Sequence, residues 1–115
     1  MLSLKKMSCV MVASSNQSVL EKVVHAFGYR STEDFVRIEI RNLLQQKIAY
    51  YQSRIDVYEQ KYGMNFSEFR RRVVDQSDPV LSKFGIIEKE DDDNDWDDSI
   101  DFVTDYTDYL QQIHP

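Results

Sequence analysis

The sequence contains few of the residues on which disulfide-rich proteins and metal sites depend. It has one cysteine, two histidines, three glycines and two prolines in 115 residues. A single cysteine, Cys9, excludes an internal disulfide, and no Cys/His grouping has metal-ligand spacing. The glycines are too far apart to form a phosphate-binding loop. We therefore expect a cytoplasmic protein without a metal or other cofactor.

Long apolar runs are also missing. No stretch approaches the ~18 residues that a membrane-spanning helix needs, so we expect no membrane role. In an alternative interpretation, Lys5 and Lys6 followed by MSCVMVA form a short signal sequence. That interpretation is disfavoured because the apolar part is short and Ala13 is a poor cleavage site.

Catalytic groupings are equally scarce. His25 and His114 stand alone, without a serine or cysteine nucleophile motif beside either of them. The acidic residues from Asp91 to Asp95 begin like a calcium-binding loop, yet Trp96 stands where such a loop needs glycine. The sequence therefore predicts a non-enzymatic protein with no dedicated metal site.

Charge divides the chain into two parts. Residues 1–80 carry 12 basic and 9 acidic side chains, a net charge of +3, whereas residues 81–115 carry 2 basic and 11 acidic ones, a net charge of -9. The densest segment, EKEDDDNDWDDS, has eight acidic residues in 12 positions. We expect this run to repel itself and to stay solvated.

Periodicity predicts a mainly α protein with one short N-terminal strand. The apolar run at residues 7–13 is typical of a strand, and a short helix that ends at Gly28 follows it. Ser31 is placed to cap a long helix that Gly63 ends, and Asn65 is placed to cap a third, short helix. An acidic C-terminal helix or tail completes the chain.

The long helix carries an apolar stripe at heptad-like spacing over residues 44–62. The stripe lasts under three heptads, which favours helix packing or a short two-helix contact over a free-standing coiled coil. The residues predicted to pack in a dimer or against another helix are Val10, Val12, Phe35, Val36, Ile40, Leu44, Ile48, Tyr51 and Ile55.

The acidic tail has an apolar stripe of its own. Ordering about twenty residues costs more free energy than the burial of six apolar side chains provides, at roughly 1.5–3 kcal/mol for each side chain. The tail therefore needs to dock, either on the basic body of this chain or on a basic partner. The residues predicted to bind a partner are Trp96, Ile100, Val103, Tyr106 and Leu110, with Asp95, Asp97 and Asp98 around them.

The segment GYRSTEDFVRIEIRNLL, preceded by a strand and a helix, resembles the second helix of ribbon-helix-helix proteins of the Arc and MetJ type. The resemblance covers about residues 7–48. It implies a homodimer whose paired strands enter the major groove of DNA, with backbone amides at a helix N-terminus on a phosphate. The DNA-binding candidates are Lys5, Lys6, Arg30, Ser31 and Thr32. A plain helical hairpin without a DNA role is the alternative.

The whole arrangement resembles antitoxins of bacterial and archaeal toxin-antitoxin pairs. The resemblance rests on YEQKYGMNFSEFRRRV followed by an acidic, Trp-containing helix. We divide the chain into a dimerisation part (1–50), a helical extension (51–78) and an acidic partner-binding tail (79–115). The resemblance implies an inhibitor of a basic toxin, with ribonucleases as the expected class, that also binds its own operator DNA.

Two other functions remain open at this point. The first is a helical scaffold or adaptor that associates through the stripe at residues 44–62, with a passive acidic tail. The second is a transcription regulator without a toxin. An acidic tail that only solubilises the protein is compatible with both.

Overall fold

Four α-helices make up most of the described chain. The structure, a computed structural model, describes residues 18–115. Its elements are α1 (residues 18–26), α2 (Thr32–Tyr62), α3 (Phe66–Val73), a short 3-10 helix (Leu81–Lys83) and α4 (Ile86–Gln112). This confirms the prediction of a mainly α protein. The strand predicted for residues 7–13 lies outside the described residues.

The ends of the long helix follow from local sequence. The backbone N–H of Asp34 donates to Ser31 Oγ at 3.0 Å, which caps the first turn of α2. At the other end, Gly63 adopts φ +70°, a left-handed conformation that favours glycine, and its N–H donates to the carbonyl of Glu59 at 2.8 Å. Both predicted ends are confirmed.

Residues 18–41 belong to the first of two compact units. In this unit Tyr29 packs edge-on against Phe35, with 5.1 Å between the ring centres. Val36 and Ile40 are 45% and 42% exposed, so the described part of the chain leaves them largely uncovered. Their packing in a dimer stays a prediction.

Asn42–His114 form the second unit, in which α4 runs antiparallel to the C-terminal half of α2. Tyr58 stacks on Trp96 with 5.6 Å between the ring centres. Tyr51, which lies two turns earlier in α2, meets Phe102, which lies nearly two turns later in α4, at 4.6 Å. The two helices therefore form a helical hairpin.

Trp96 is the centre of the core of this unit and has no exposed surface. Its ring stacks on Tyr58 and Tyr62 of α2 and touches the rings of Phe66 and Phe69 of α3, with centres 5.1–6.0 Å away. Each aromatic pair adds about 0.5–1.5 kcal/mol beyond the burial of its area. One side chain of α4 thus ties together three helices.

The acidic run at residues 88–99 is part of α4, and the expectation that it stays solvated is wrong for its inner side. The helix begins at Ile86, ahead of the run, so several carboxylates lie near its positive N-terminal end. Cations of α2 and α3 pair with the carboxylates that face them. The positive end of the helix and the cations of α2 and α3 thus offset the repulsion among the carboxylates of the acidic run.

Asp78 joins α3 to the 3-10 helix. It accepts a hydrogen bond from Arg72 Nε at 2.8 Å and from the backbone N–H groups of Val80 and Leu81 at 2.9 and 3.0 Å. The Arg72 guanidinium, followed by the Leu81 amide, holds the pKa of Asp78 well below its usual range. The carboxylate is buried and charged, and it fixes the chain where it leaves α3.

Replacing Trp96 by alanine should lower the free energy of unfolding by about 3–5 kcal/mol, because the change removes a fully buried aromatic side chain and leaves a cavity. The matched control is Ile87→Ala, since Ile87 is 74% exposed and its loss should cost under about 0.5 kcal/mol. Urea denaturation followed by circular dichroism measures both. Equal losses in the two variants would contradict the central position of Trp96.

Asp78→Asn should lower the free energy of unfolding at neutral pH. It should also make that free energy fall less as the pH is lowered. The folded protein holds the pKa of Asp78 below its unfolded value of 3.8. The resulting stabilisation is present above that unfolded value and is lost as the pH falls towards the folded value. The stability difference between wild type and variant should therefore narrow below about pH 4. Thermal melting temperatures between pH 7 and pH 2 measure it, and a constant difference would contradict the assignment.

Candidate functional site

Asp95 links the inner side of α4 to α2. It accepts hydrogen bonds from the guanidinium of Arg54 and from the hydroxyl of Tyr58. Burial raises the pKa of Asp95, but the hydrogen bonds from Tyr58 and Arg54 together outweigh it and leave that pKa below its ordinary value. The bond to Asp95 raises the pKa of Arg54 in turn. Both partners are therefore charged at neutral pH.

Lys61 makes a second link, nearer the beginning of α4. Its Nζ lies 2.6 Å from a carboxylate oxygen of Asp92 and 2.6 Å from one of Glu88. The Tyr62 hydroxyl donates to the same Asp92 carboxylate at 2.6 Å. The bonds with Asp92 and Glu88 raise the pKa of Lys61, while burial and the bond to Asp92 raise the pKa of Tyr62. A lysine and a tyrosine thus hold one turn of α4.

The third link comes from α3. Arg70 Nε lies 2.9 Å from Asp93 Oδ1, and Arg70 Nη2 lies 3.5 Å from Asp97 Oδ2. The guanidinium also lies over the ring of Phe66, 4.8 Å from its centre. Cations of α2 and α3 thus engage five carboxylates of α4: Glu88, Asp92, Asp93, Asp95 and Asp97.

A second set of carboxylates on α4 makes no ion pair with these cations. Its six members are exposed, and none forms an ion pair with any of residues 18–115. We call this set the outer acidic surface: Glu90, Asp91, Asp98, Asp101, Asp105 and Asp108. It extends for about 27 Å along the helix. Its charge is available to a positively charged molecule.

The apolar residues that the sequence predicts as partner-binding lie on the inner side of α4. Trp96 is buried, and the others are half-buried: Ile100, Val103, Tyr106 and Leu110. Of the predicted carboxylates, Asp95 and Asp97 pair with arginines of this chain, and Asp98 is exposed. A partner could reach the apolar residues only if α4 lifted away from α2. Their role in binding stays a prediction.

The stripe predicted for helix packing on α2 faces α4. Ile55 is buried, while Leu44, Ile48 and Tyr51 are half-buried. Tyr51 contacts the rings of Phe102 and Tyr106, with centres 4.6 and 6.2 Å away. The two apolar stripes that the sequence shows therefore cover each other within one chain.

The DNA-binding candidates are described only in part. Arg30 is exposed and lies 3.5 Å from Asp34. The hydroxyl of Ser31 already accepts the amide of Asp34, and Thr32 Oγ1 is buried without a hydrogen-bond partner among the described residues. Several predicted residues lie outside the described part: Lys5, Lys6, Val10 and Val12. Contact with DNA stays a prediction.

An open groove of about 440 Å³ passes beside Trp96 and is walled by α2, the start of α3 and α4. Its floor is apolar, and Glu59 is the one carboxylate among the described residues that line it. The buried Nε1 of Trp96 has no hydrogen-bond partner in the described part of the chain. The groove brings together no pair of groups suited to acid-base chemistry.

Comparisons with known proteins add no family. No protein-family model, no curated protein and no solved structure matches the chain. Within residues 18–115, no group of three His, Cys, Asp or Glu side chains could hold a metal ion. None of the helices described is both long and apolar enough to cross a membrane. The functional assignment therefore rests on α4 and the residues around it.

Sequence reasoning missed Arg54 and Lys61, which hold α4 in place. A signal for them exists in the sequence. They are seven residues apart, so they lie on one side of α2, beside the apolar stripe. An acidic helix that packs antiparallel on that stripe necessarily passes them.

Asp95→Asn should lower the free energy of unfolding by about 1 kcal/mol, because it weakens a partly exposed, charged hydrogen-bond pair. Asp91→Asn is the matched control on the same helix. It removes the same charge from the outer acidic surface, where no cation of residues 18–115 pairs with it, so stability should stay the same or rise slightly. Chemical denaturation compares the two, and a larger loss for Asp91→Asn would contradict the division into inner and outer carboxylates.

Proposed function

We propose that this chain is an antitoxin-like inhibitory protein that binds a basic protein, of which a ribonuclease toxin is the expected class. The observation that supports the proposal is the outer acidic surface. The five inner carboxylates of α4 have cations within the chain, whereas the six outer ones have none among residues 18–115. The outer set is therefore accessible to a positively charged partner without any change in the packing of α4.

The outer acidic surface is carried by a helix that is already ordered. α4 has 27 residues and is fixed by Trp96 and by three cationic links. Binding a partner to its outer side does not require the helix to form first, so the cost of ordering the helix does not reduce the affinity. A row of like charges also attracts an oppositely charged protein over a distance and speeds its encounter.

The chemistry of the partner follows from that charge. A ribonuclease that binds the RNA backbone presents lysines and arginines to phosphates. An acidic helix of about 27 Å can cover such a basic surface and exclude RNA from it. The proposal assigns the contact to the outer carboxylates, because release of Trp96 would expose the centre of the core.

The inhibitory function is proposed for a cytoplasmic homodimer, with operator binding through the N-terminal part as a second activity. Both come from the resemblance to antitoxins and ribbon-helix-helix proteins. A scaffold that associates through residues 44–62 is less favoured, because that stripe already packs on α4. A transcription regulator without a toxin would give the outer acidic surface no role in binding.

The test begins by looking for a reading frame beside the gene that encodes a small basic protein, and its absence would count against the proposal. Where one is found, that protein is produced with and without this chain. Co-expression with the wild-type chain should relieve the growth arrest that this protein causes, and the two should bind with an affinity that falls steeply with salt. The double variant Asp101→Lys, Asp108→Lys should weaken binding at least about tenfold, since it reverses two charges on the outer acidic surface.

The matched control is the double variant Asp56→Lys, Glu59→Lys. It makes the same change in net charge on exposed positions of α2, away from the outer acidic surface, and should bind like wild type. Equal loss in both doubles would mean that only overall charge matters. A neighbouring protein that is neither bound nor inhibited would contradict the proposal.

A further inference from the structure

A second stripe runs along α2, beside the one that packs on α4. It alternates apolar and basic side chains at gaps of 4, 3, 4, 3 and 4: Leu43, Lys47, Tyr50, Arg54, Val57 and Lys61. We call it the basic-apolar stripe. Its apolar members are 55%, 52% and 59% exposed, in chain order. Heptad-like spacing keeps such residues on one side of a helix, and an exposed apolar row of this kind marks an interaction surface.

A stripe of opposite character runs along α4. It has the same gaps of 4, 3, 4, 3 and 4: Asp91, Asp95, Asp98, Phe102, Asp105 and Tyr109. We call it the acidic-aromatic stripe. Phe102 is 36% exposed and Tyr109 is 51% exposed. Aromatic side chains are enriched at protein interfaces, so two exposed rings in one row indicate a contact surface.

The two stripes lie on the same face of the α2–α4 hairpin. Arg54, of the basic-apolar stripe, is hydrogen-bonded to Asp95, of the acidic-aromatic stripe. The face is not covered by α3, because Arg70 of α3 binds Asp93 and Asp97. These are two residues to either side of Asp95 and so point to the opposite side of α4.

We propose that this face binds a second copy of the chain. In the dimer, the basic-apolar stripe of each copy lies on the acidic-aromatic stripe of the other, and two hairpins make a four-helix arrangement. A two-fold axis parallel to the helices produces this contact twice, as closed isologous dimers require. Such hairpin pairing is a common way to complete a four-helix bundle.

The register of the two stripes fits this symmetry. A two-fold axis parallel to the helices keeps every residue at its own height, so each residue of α2 meets the residue of α4 that lies at the same height in its own chain. That height is fixed by pairs such as Tyr58 with Trp96 and Tyr51 with Phe102.

At this register the chemistry of the two stripes matches. Lys47 meets Asp105 of the second copy. One heptad further along α2, Arg54 meets Asp98 of the second copy. Between these two ion pairs, Tyr50 lies at the level of Phe102 of the second copy. The remaining matched levels follow in the same steps: Leu43 with Tyr109, and Lys61 with Asp91. Three of the six levels bring opposite charges together and two bring apolar side chains together. At the sixth, Val57 meets Asp95, a carboxylate that already binds Arg54 of its own chain.

The second copy is the occupant favoured by this complementarity, since both halves of the contact are present on one chain. The contact involves α2 and α4 and is distinct from strand pairing at the N-terminus. It leaves Glu90, Asp101 and Asp108 of the outer acidic surface facing outward, since they lie on the side of α4 away from both α2 and the stripe. The inference does not depend on the proposed inhibitory function.

The test is a charge exchange between full-length chains. Lys47→Glu and Asp105→Lys change exposed side chains with no ion pair among residues 18–115, so both variants should fold like wild type by circular dichroism. Each variant alone places like charges opposite each other twice per dimer and should raise the dissociation constant by about tenfold or more. An equimolar mixture of the two variants restores opposite charges at both contacts and should regain wild-type association.

Sedimentation equilibrium at low salt measures the chain number and the dissociation constant. The control is Lys83→Glu, which makes the same charge change on an exposed position outside both stripes and should associate like wild type. The inference is overturned if the wild type is monomeric, if the single variants associate as wild type does, or if the mixture does not recover. If the N-terminal part also pairs, the wild type should form a tetramer and each single variant a dimer. Recovery of the tetramer in the equimolar mixture of the two variants then tests the inference.

Discussion

The docking of an acidic helix onto a basic helix is the constraint on which the second unit depends. α4 carries eleven carboxylates. Neither its apolar stripe nor its ion pairs alone would keep it docked on α2. Trp96 supplies the apolar part by entering a cage of four aromatic rings. Arg54, Lys61 and Arg70 supply the electrostatic part on the two flanks of that cage.

These two contributions differ in kind. Burial of an aromatic ring is not directional and is not screened by salt, whereas partly exposed ion pairs are directional and weaken as salt screens them. The ring therefore adds stability that salt does not screen, and the ion pairs help to fix the rotation of α4 and its register on α2. Fixed rotation matters because it decides which carboxylates face inward and which form the outer acidic surface.

Local sequence predicted the ends of the helices well. Ser31, Gly63 and Asn65 act through bonds to residues within four positions, so their effect can be read without knowledge of the fold. The start of α4 could not be read in this way. The acidic run is unfavourable in isolation, and its helical state depends on cations that lie about 20 to 40 residues earlier in the chain.

The binding stripes show a related limit. Periodicity correctly placed Trp96 and Ile55 on apolar faces, but a pattern shows that a face must be covered and not what covers it. α2 carries two stripes with the same 4-3 spacing. The stripe that contains Tyr51 packs within the chain, whereas the stripe that contains Tyr50 is exposed. Only the packing of α4 distinguishes them, because α4 can cover one side of α2 and leaves the adjacent side open.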